Sequence, residues 1–117
     1  MAVTPEGKVK AKVKRLLKKY DCYQFWPVQS GYGAPTLDCI ACCQGHFIGI
    51  ETKAPGKRPT PRQLLTIDDM RDAEATVFVI GEYKQGQEVG GKGTGIICNE
   101  EYSGLGELEA WLLMLKD

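Results

Sequence analysis

Residues 35–53, PTLDCIACCQGHFIGIETK, place three cysteines and one histidine between an aspartate and a glutamate. Two readings compete. Either Cys39, Cys42, Cys43 and His46 form a thiol-zinc set, or the stretch is a β-hairpin whose cargo is Asp38, Glu51 and Lys53. Short apolar runs on either side of Gln44-Gly45 read as two strands joined by a tight turn. Adjacent side chains on a strand point to opposite faces, so Cys42 and Cys43 do not readily share one ion. Cys39 and Cys43 share a face but lie about 13 Å apart at roughly 3.3 Å per residue. Zinc takes four N or S ligands in a tetrahedron, and no second ligand pair follows at a finger-like spacing. The cysteines then read as small buried hydrophobes, and His46 as a polar turn residue.

The carboxylates fit a hairpin better. With a two-residue turn at Gln44-Gly45, Cys43 falls opposite His46, Ala41 opposite Ile48, Cys39 opposite Ile50 and Asp38 opposite Glu51. Cross-strand neighbours have Cβ atoms roughly 4.5–5.5 Å apart, and like charges placed so are destabilising. Lys53, two residues beyond Glu51, shares their face. A divalent cation relieves the repulsion, and hard oxygen ligands suit Mg2+ or Mn2+. The plain alternative is an exposed strand pair in which Lys53 bridges both acids.

Composition bounds these readings. The chain has 117 residues, 26% charged and 43% hydrophobic, which fits one domain over 1–117 with a single modest core. No apolar run approaches the roughly 20 residues of a membrane span, and the N-terminus lacks the apolar segment of a secretory signal. We therefore expect a soluble intracellular protein, in cytoplasm or nucleoid, or in a host cell. Five cysteines, two of them adjacent, fit reduced thiols better than a disulfide framework. The zero net charge hides an asymmetry: 11 basic and 4 acidic residues up to Arg62, and 4 basic and 11 acidic from Gln63 onward. A basic half suits polyanions, although solvated lysines give the same count.

The rest of the chain supplies the frame. Thr4-Pro5-Glu6 reads as an N-cap, a first-position proline and a first-turn acid. Val9, Val13, Leu16, Leu17 and Tyr20 then recur at helical spacing, with lysines between them. Residues 22–28 read as a short strand with Pro27 near its end. Thr60-Pro61-Arg62-Gln63 is a second helix start with a capping-box glutamine. ATVFVIGEY (75–83) is a buried strand, TGIIC (94–98) an edge strand, and SGLGELEAWLLMLK (103–116) a final helix striped by Leu108, Trp111, Leu112 and Leu115. The glycine-rich residues 84–95 read as a mobile hairpin tip or DNA-contacting loop; VGGKGTG (89–95) lacks the Walker A pattern. Trp26 and Trp111 read as core or interface residues. No Ser-His-Asp set is present for triad hydrolysis. The order α, three strands, α, strand, strand, α predicts an α/β fold with a mixed sheet.

Asp38, followed thirteen residues later by Glu51-Thr52-Lys53 on an adjacent strand, resembles the PD-(D/E)XK nuclease superfamily. The flanking motifs resemble its VRR-NUC branch. GAPTLDCI (33–40) is similar to that branch's Gly-x-Pro-Asp loop, IETK (50–53) to its Ile-Glu-x-Lys strand, and TPRQ (60–63) to its Gln-bearing helix. The resemblance runs from roughly residue 5 to residue 81. One departure stands out: Thr36 and Leu37 separate Pro35 from Asp38, where the family usually has Pro directly before Asp.

The resemblance implies a restriction-endonuclease-like core, a mixed β-sheet flanked by helices, and phosphodiester hydrolysis of DNA. It implies Asp38, Glu51, Lys53 and Gln63 as catalytic residues. Mg2+ or Mn2+ would be held by Asp38, Glu51, the Thr52 carbonyl and, through water, Glu6. Gln63 and Glu6 also have ordinary helix-start roles. Lys57, Arg58 and Arg62 follow the site, and Lys8, Lys12, Lys14 and Arg15 offer a second track for phosphates. Stand-alone VRR-NUC proteins resemble Holliday-junction resolvases, which work as homodimers, so the expected substrate is a four-way junction or other branched DNA. Leu113 and Met114, beyond the main stripe of the last helix, suit either a dimer interface or the core. The alternatives are an inactive nucleic-acid-binding module on the same fold and a thiol-zinc protein.

Overall fold

The computed structural model describes residues 4–28, 35–82 and 103–116. Its elements are α1 (Pro5–Lys19), β1 (Tyr23–Phe25), β2 (Cys39–Cys43), β3 (His46–Lys57), α2 (Pro61–Asp72), β4 (Thr76–Glu82) and α3 (Leu105–Lys116). The expected edge strand 94–98, the glycine-rich stretch 84–95 and the first two residues of GAPTLDCI, Gly33 and Ala34, lie outside the described residues.

The strands form one sheet in the order β1-β2-β3-β4. β1, β2 and β3 are antiparallel neighbours, and β4 joins β3 in parallel. The parallel pair needs a crossover, and α2 supplies it. The hairpin register is the one a two-residue turn dictates: Cys43 pairs with His46, Ala41 with Ile48 and Cys39 with Ile50. Gln44 (φ 51°) and Gly45 (φ 82°) both take the left-handed backbone that such a turn demands.

Strand alternation divides the apolar residues between two layers. On one face, Cys39, Ala41, Cys43, Ile48 and Ile50 pack with Val9, Val13 and Leu17 of α1 and Leu108 and Leu112 of α3. On the other, Leu37, Ile67 and Val77 form a smaller cluster with Met70 and Val79. The second layer explains Gly49: a Cβ there would overlap Met70 and crowd Leu37. Both helix starts follow their sequence signals. Thr4 Oγ1 accepts from the Gly7 N–H at 3.0 Å, and Thr60 and Gln63 form a reciprocal capping box. α1 and α3 are tied by Glu109, which accepts from Lys19 Nζ at 3.0 Å and from Tyr20 Oη at 2.8 Å.

One expectation fails. Cys22, just before β1, and Cys43, at the end of β2, are paired as a disulfide, with Cα atoms 4.7 Å apart. The sequence separation of 21 hides what the β1–β2 register does, which is to bring Cys22 alongside Cys43 at a Cα distance within the usual disulfide range. Cys39 stays free and buried, and Cys42 free and exposed.

Candidate active site

Residues of one parity on β3 face the α1 core, so Glu51 and Lys53, of the other parity, face α2. Asp38 stands immediately before β2 and meets Glu51 and Thr52 across the sheet. Its Oδ2 accepts two hydrogen bonds from Thr52, from N–H at 3.0 Å and from Oγ1–H at 2.7 Å. The Asp38 N–H donates to Glu51 Oε1 at 3.3 Å. The Thr52 side chain was not anticipated as a support for Asp38. Its position between the acid and the lysine was the available signal, because a hydroxyl there can reach across to the neighbouring strand.

Glu51 is 2% exposed. Burial pushes its carboxyl up to about 7, and the Asp38 charge adds to the rise. Lys53 and the Asp38 N–H pull the other way, and Glu6 contributes a smaller upward push. Each acid therefore has one oxygen engaged by protein. The second oxygen of each accepts no hydrogen bond from the described residues.

Lys53 and Gln63 meet on the same side. Lys53 Nζ donates to Gln63 Oε1 at 3.1 Å. The same oxygen accepts from the Thr60 N–H at 2.9 Å, while the Gln63 N–H donates to Thr60 Oγ1 at 3.2 Å. The capping-box role and contact with Lys53 thus coexist in one side chain, and the helix start fixes the partner of the lysine.

The other candidates are more dispersed. Glu6 lies near enough to influence Glu51, but its own contact is with Lys10 at 3.6 Å. Lys8, Lys12, Lys14 and Arg15 belong to α1, whose packed side covers the opposite face of the sheet. Lys14 sits 5.0 Å from the Trp26 ring centroid. Lys57 ends β3, Arg58 lies in the connection to α2, and Arg62 is in the first turn of α2, next to Gln63 in sequence. The thiol-zinc candidates are not gathered. Cys43 is bonded to Cys22, Cys39 and Cys42 face opposite sides, and burial pushes the Cys39 thiol up to about 12. His46 instead packs edge-on against Trp111, with ring centroids 5.9 Å apart.

No group of three or more His, Cys, Asp or Glu side chains able to hold a metal occurs among the described residues. A hard divalent ion needs fewer protein ligands, since Mg2+ is usually held by one or two carboxylates together with waters and substrate phosphate. Two adjacent carboxylates with one uncommitted oxygen each, one of them buried and protonation-prone, fit that pattern.

No family model and no curated protein matches the sequence. The fold does find a match in a solved structure described as a VRR-NUC domain, with a TM-score of 0.60 and 26% identity over 70% of this chain and 89% of that one. The hairpin register, the Asp38–Glu51 contact and the Lys53–Gln63 pair thus lie on a mixed α/β fold similar to that of a VRR-NUC domain, a likeness that supports a nuclease of the PD-(D/E)XK type.

Proposed function

We propose that the chain is a divalent-metal-dependent DNA endonuclease acting at the Asp38–Glu51–Lys53 site. The observation that carries the proposal is Glu51: a buried carboxyl, forced against Asp38, with an oxygen that no described residue satisfies. A fold does not ordinarily keep such a cost without compensation from a cation. Mg2+ or Mn2+ held by Asp38, Glu51 and the Thr52 carbonyl supplies positive charge at the phosphate and a more acidic water. In an extended strand the carbonyl and N–H of one residue leave the backbone on the same side, and the Thr52 N–H points at Asp38. That supports its carbonyl as a ligand.

The remaining roles fall to the chain itself. Thr52 holds the Asp38 carboxylate in one orientation through two hydrogen bonds. Lys53 orients the attacking water and offsets charge that develops on the phosphate. Gln63 keeps the ammonium of Lys53 on the open side of the site. Lys57, Arg58 and Arg62 hold flanking phosphates, and α1 offers a second basic surface around the sheet edge. Glu6 acts through water.

One small domain with one site cuts one strand. We propose a homodimer, whose two sites at fixed separation suit a four-way junction or other branched DNA. Leu113 and Met114, 51% and 72% exposed on α3, support an unfilled apolar contact there. The test is a substrate panel of single strand, duplex, flap, fork and four-way junction, with Mn2+ and with chelator, run alongside light scattering. Metal-dependent nicking strongest on branched DNA by a dimer is expected. Binding without cleavage under every metal condition would instead identify an inactive module.

A further inference from the structure

The ladder between β3 and β4 is regular as far as Thr52 opposite Ile80, and resumes with Lys57 opposite Glu82. Between those pairs, Lys53, Ala54, Pro55 and Gly56 of β3 face the single residue Gly81 of β4. A break of this kind re-aims the side chains at its base. Gly81 has a backbone φ of 95°, in the left-handed region, and its N–H donates to the Ser103 carbonyl at 2.7 Å rather than to β3. The space where its side chain would stand is filled by the main chain of Lys53. A Cβ at Gly81 would overlap the Lys53 carbonyl oxygen, far inside the 3.0 Å that real Cβ atoms keep, and would lie 3.1 Å from the Lys53 carbonyl carbon.

We propose that Gly81 is a positioning residue for Lys53: its missing side chain lets the lysine backbone seat against β4, and this sets where the ammonium reaches Gln63 and the acid pair. The inference rests on Lys53 being the catalytic lysine. Any side chain at position 81 pushes the Lys53 backbone outward by on the order of 1 Å, and a misplacement of that size costs about 100-fold in rate. Binding of DNA depends on other residues and stays as it is.

Gly104 provides the control. It too has a left-handed φ, 86°, and a Cβ there would meet backbone, 2.7 Å from the Val79 carbonyl oxygen. It lies in the same region, one residue past Ser103, but presses on β4 and not on Lys53. Gly81→Ala and Gly104→Ala are purified, and their folded fractions are measured by circular dichroism in sucrose, which favours the compact state. Cleavage is then measured per folded molecule with Mn2+. Gly81→Ala is expected to lose about 100-fold in kcat with KM little changed, and Gly104→Ala to keep both within a few-fold. In a Lys53→Ala background, Gly81→Ala is expected to add no further loss, since a residue acting through another is non-additive with it.

Equal kcat losses in the two glycine variants would overturn the proposal. So would an undiminished effect of Gly81→Ala in the Lys53→Ala background, or a Gly81→Ala chain with no folded fraction even in sucrose. Wild-type and Lys53→Ala proteins that behave alike would instead refute the nuclease site itself, and this inference with it.

Discussion

Glu51→Gln isolates the electrostatic cost of the site from its geometry. The amide keeps an oxygen to accept the Asp38 N–H and loses the charge. In the unfolded chain a glutamate titrates near 4.5, and in the folded protein Glu51 does so at about 7. Below pH 4.5 it is protonated in both states and the wild type is not penalised. Between those values the folded state holds a proton that the unfolded state has released, so stability falls as pH rises. Above about pH 7 the loss is complete, and at 1.36 kcal/mol per pH unit it amounts to on the order of 3 kcal/mol. This is an upper figure, because water at the mouth of the site screens the charge.

Urea unfolding in chelator, from pH 4.5 to 8, reads this directly. Glu51→Gln is expected to match the wild type at the acid end and to exceed it by about 2–3 kcal/mol at pH 8. Mn2+ should close the gap there. At 100 times its dissociation constant it adds about 2.7 kcal/mol to a protein that binds it only when folded, and the amide variant should gain little. Parallel pH curves for the two proteins would refute the reasoning about burial. Equal stabilisation by Mn2+ would place the ion elsewhere.

Lys53→Ala should cut cleavage by orders of magnitude, to a small residual rate that single-turnover assays at high enzyme still read, while leaving the fold and DNA binding intact, because its interactions strengthen in the transition state; single-turnover cleavage and gel-shift binding check this. Gln63→Ala should lower kcat and also cost about 1 kcal/mol in unfolding free energy, since one side chain serves both Lys53 and the α2 cap. Lys12→Glu and Lys14→Glu should weaken binding to every DNA substrate and flatten its dependence on salt, as titrations at several ionic strengths would show. Reduction of the Cys22–Cys43 disulfide should destabilise the protein by about 3 kcal/mol on the chain-entropy account. Cys22→Ser should remove the sensitivity to reductant in thermal melting.

Much of this arrangement could be read in the sequence because local rules agreed with one another. Gln44-Gly45 between two apolar runs fixes a two-residue turn, and that turn alone sets the pairing that brings Asp38 to Glu51. Thr4-Pro5 and Thr60-Pro61 mark two helix starts because a capping oxygen and a proline satisfy the same unbonded backbone ends. The features that stayed hidden depend on contacts between distant segments. Whether Cys22 meets Cys43 depends on the register of β1, which a three-residue strand specifies only weakly. Gln63 on Lys53 depends on where α2 crosses the sheet. The same reasoning located the lysines of α1 but not their face of the sheet, since a helix with lysines on most of its circumference does not say which edge meets DNA.

The break in the β3–β4 ladder is the point where fold and site depend on each other most. Continued regularly from Thr52 and Ile80, the ladder would set Lys53 directly opposite Gly81 as an ordinary paired strand residue. Four residues facing one release β3 from β4 just after Glu51 and Thr52, which pair with Val79 and Ile80 on that side and hydrogen-bond to Asp38 on the other. Glu51 thus sits on the last part of β3 that is held on both sides, and stays buried at a cost in charge. The lysine sits two residues further on, at the base of the bulge, where its backbone rests on a glycine and its side chain reaches α2. A continuous ladder would keep the acids but return Lys53 to regular pairing, and a break one residue earlier would free the lysine but release Thr52 from β4 and loosen its hold on Asp38.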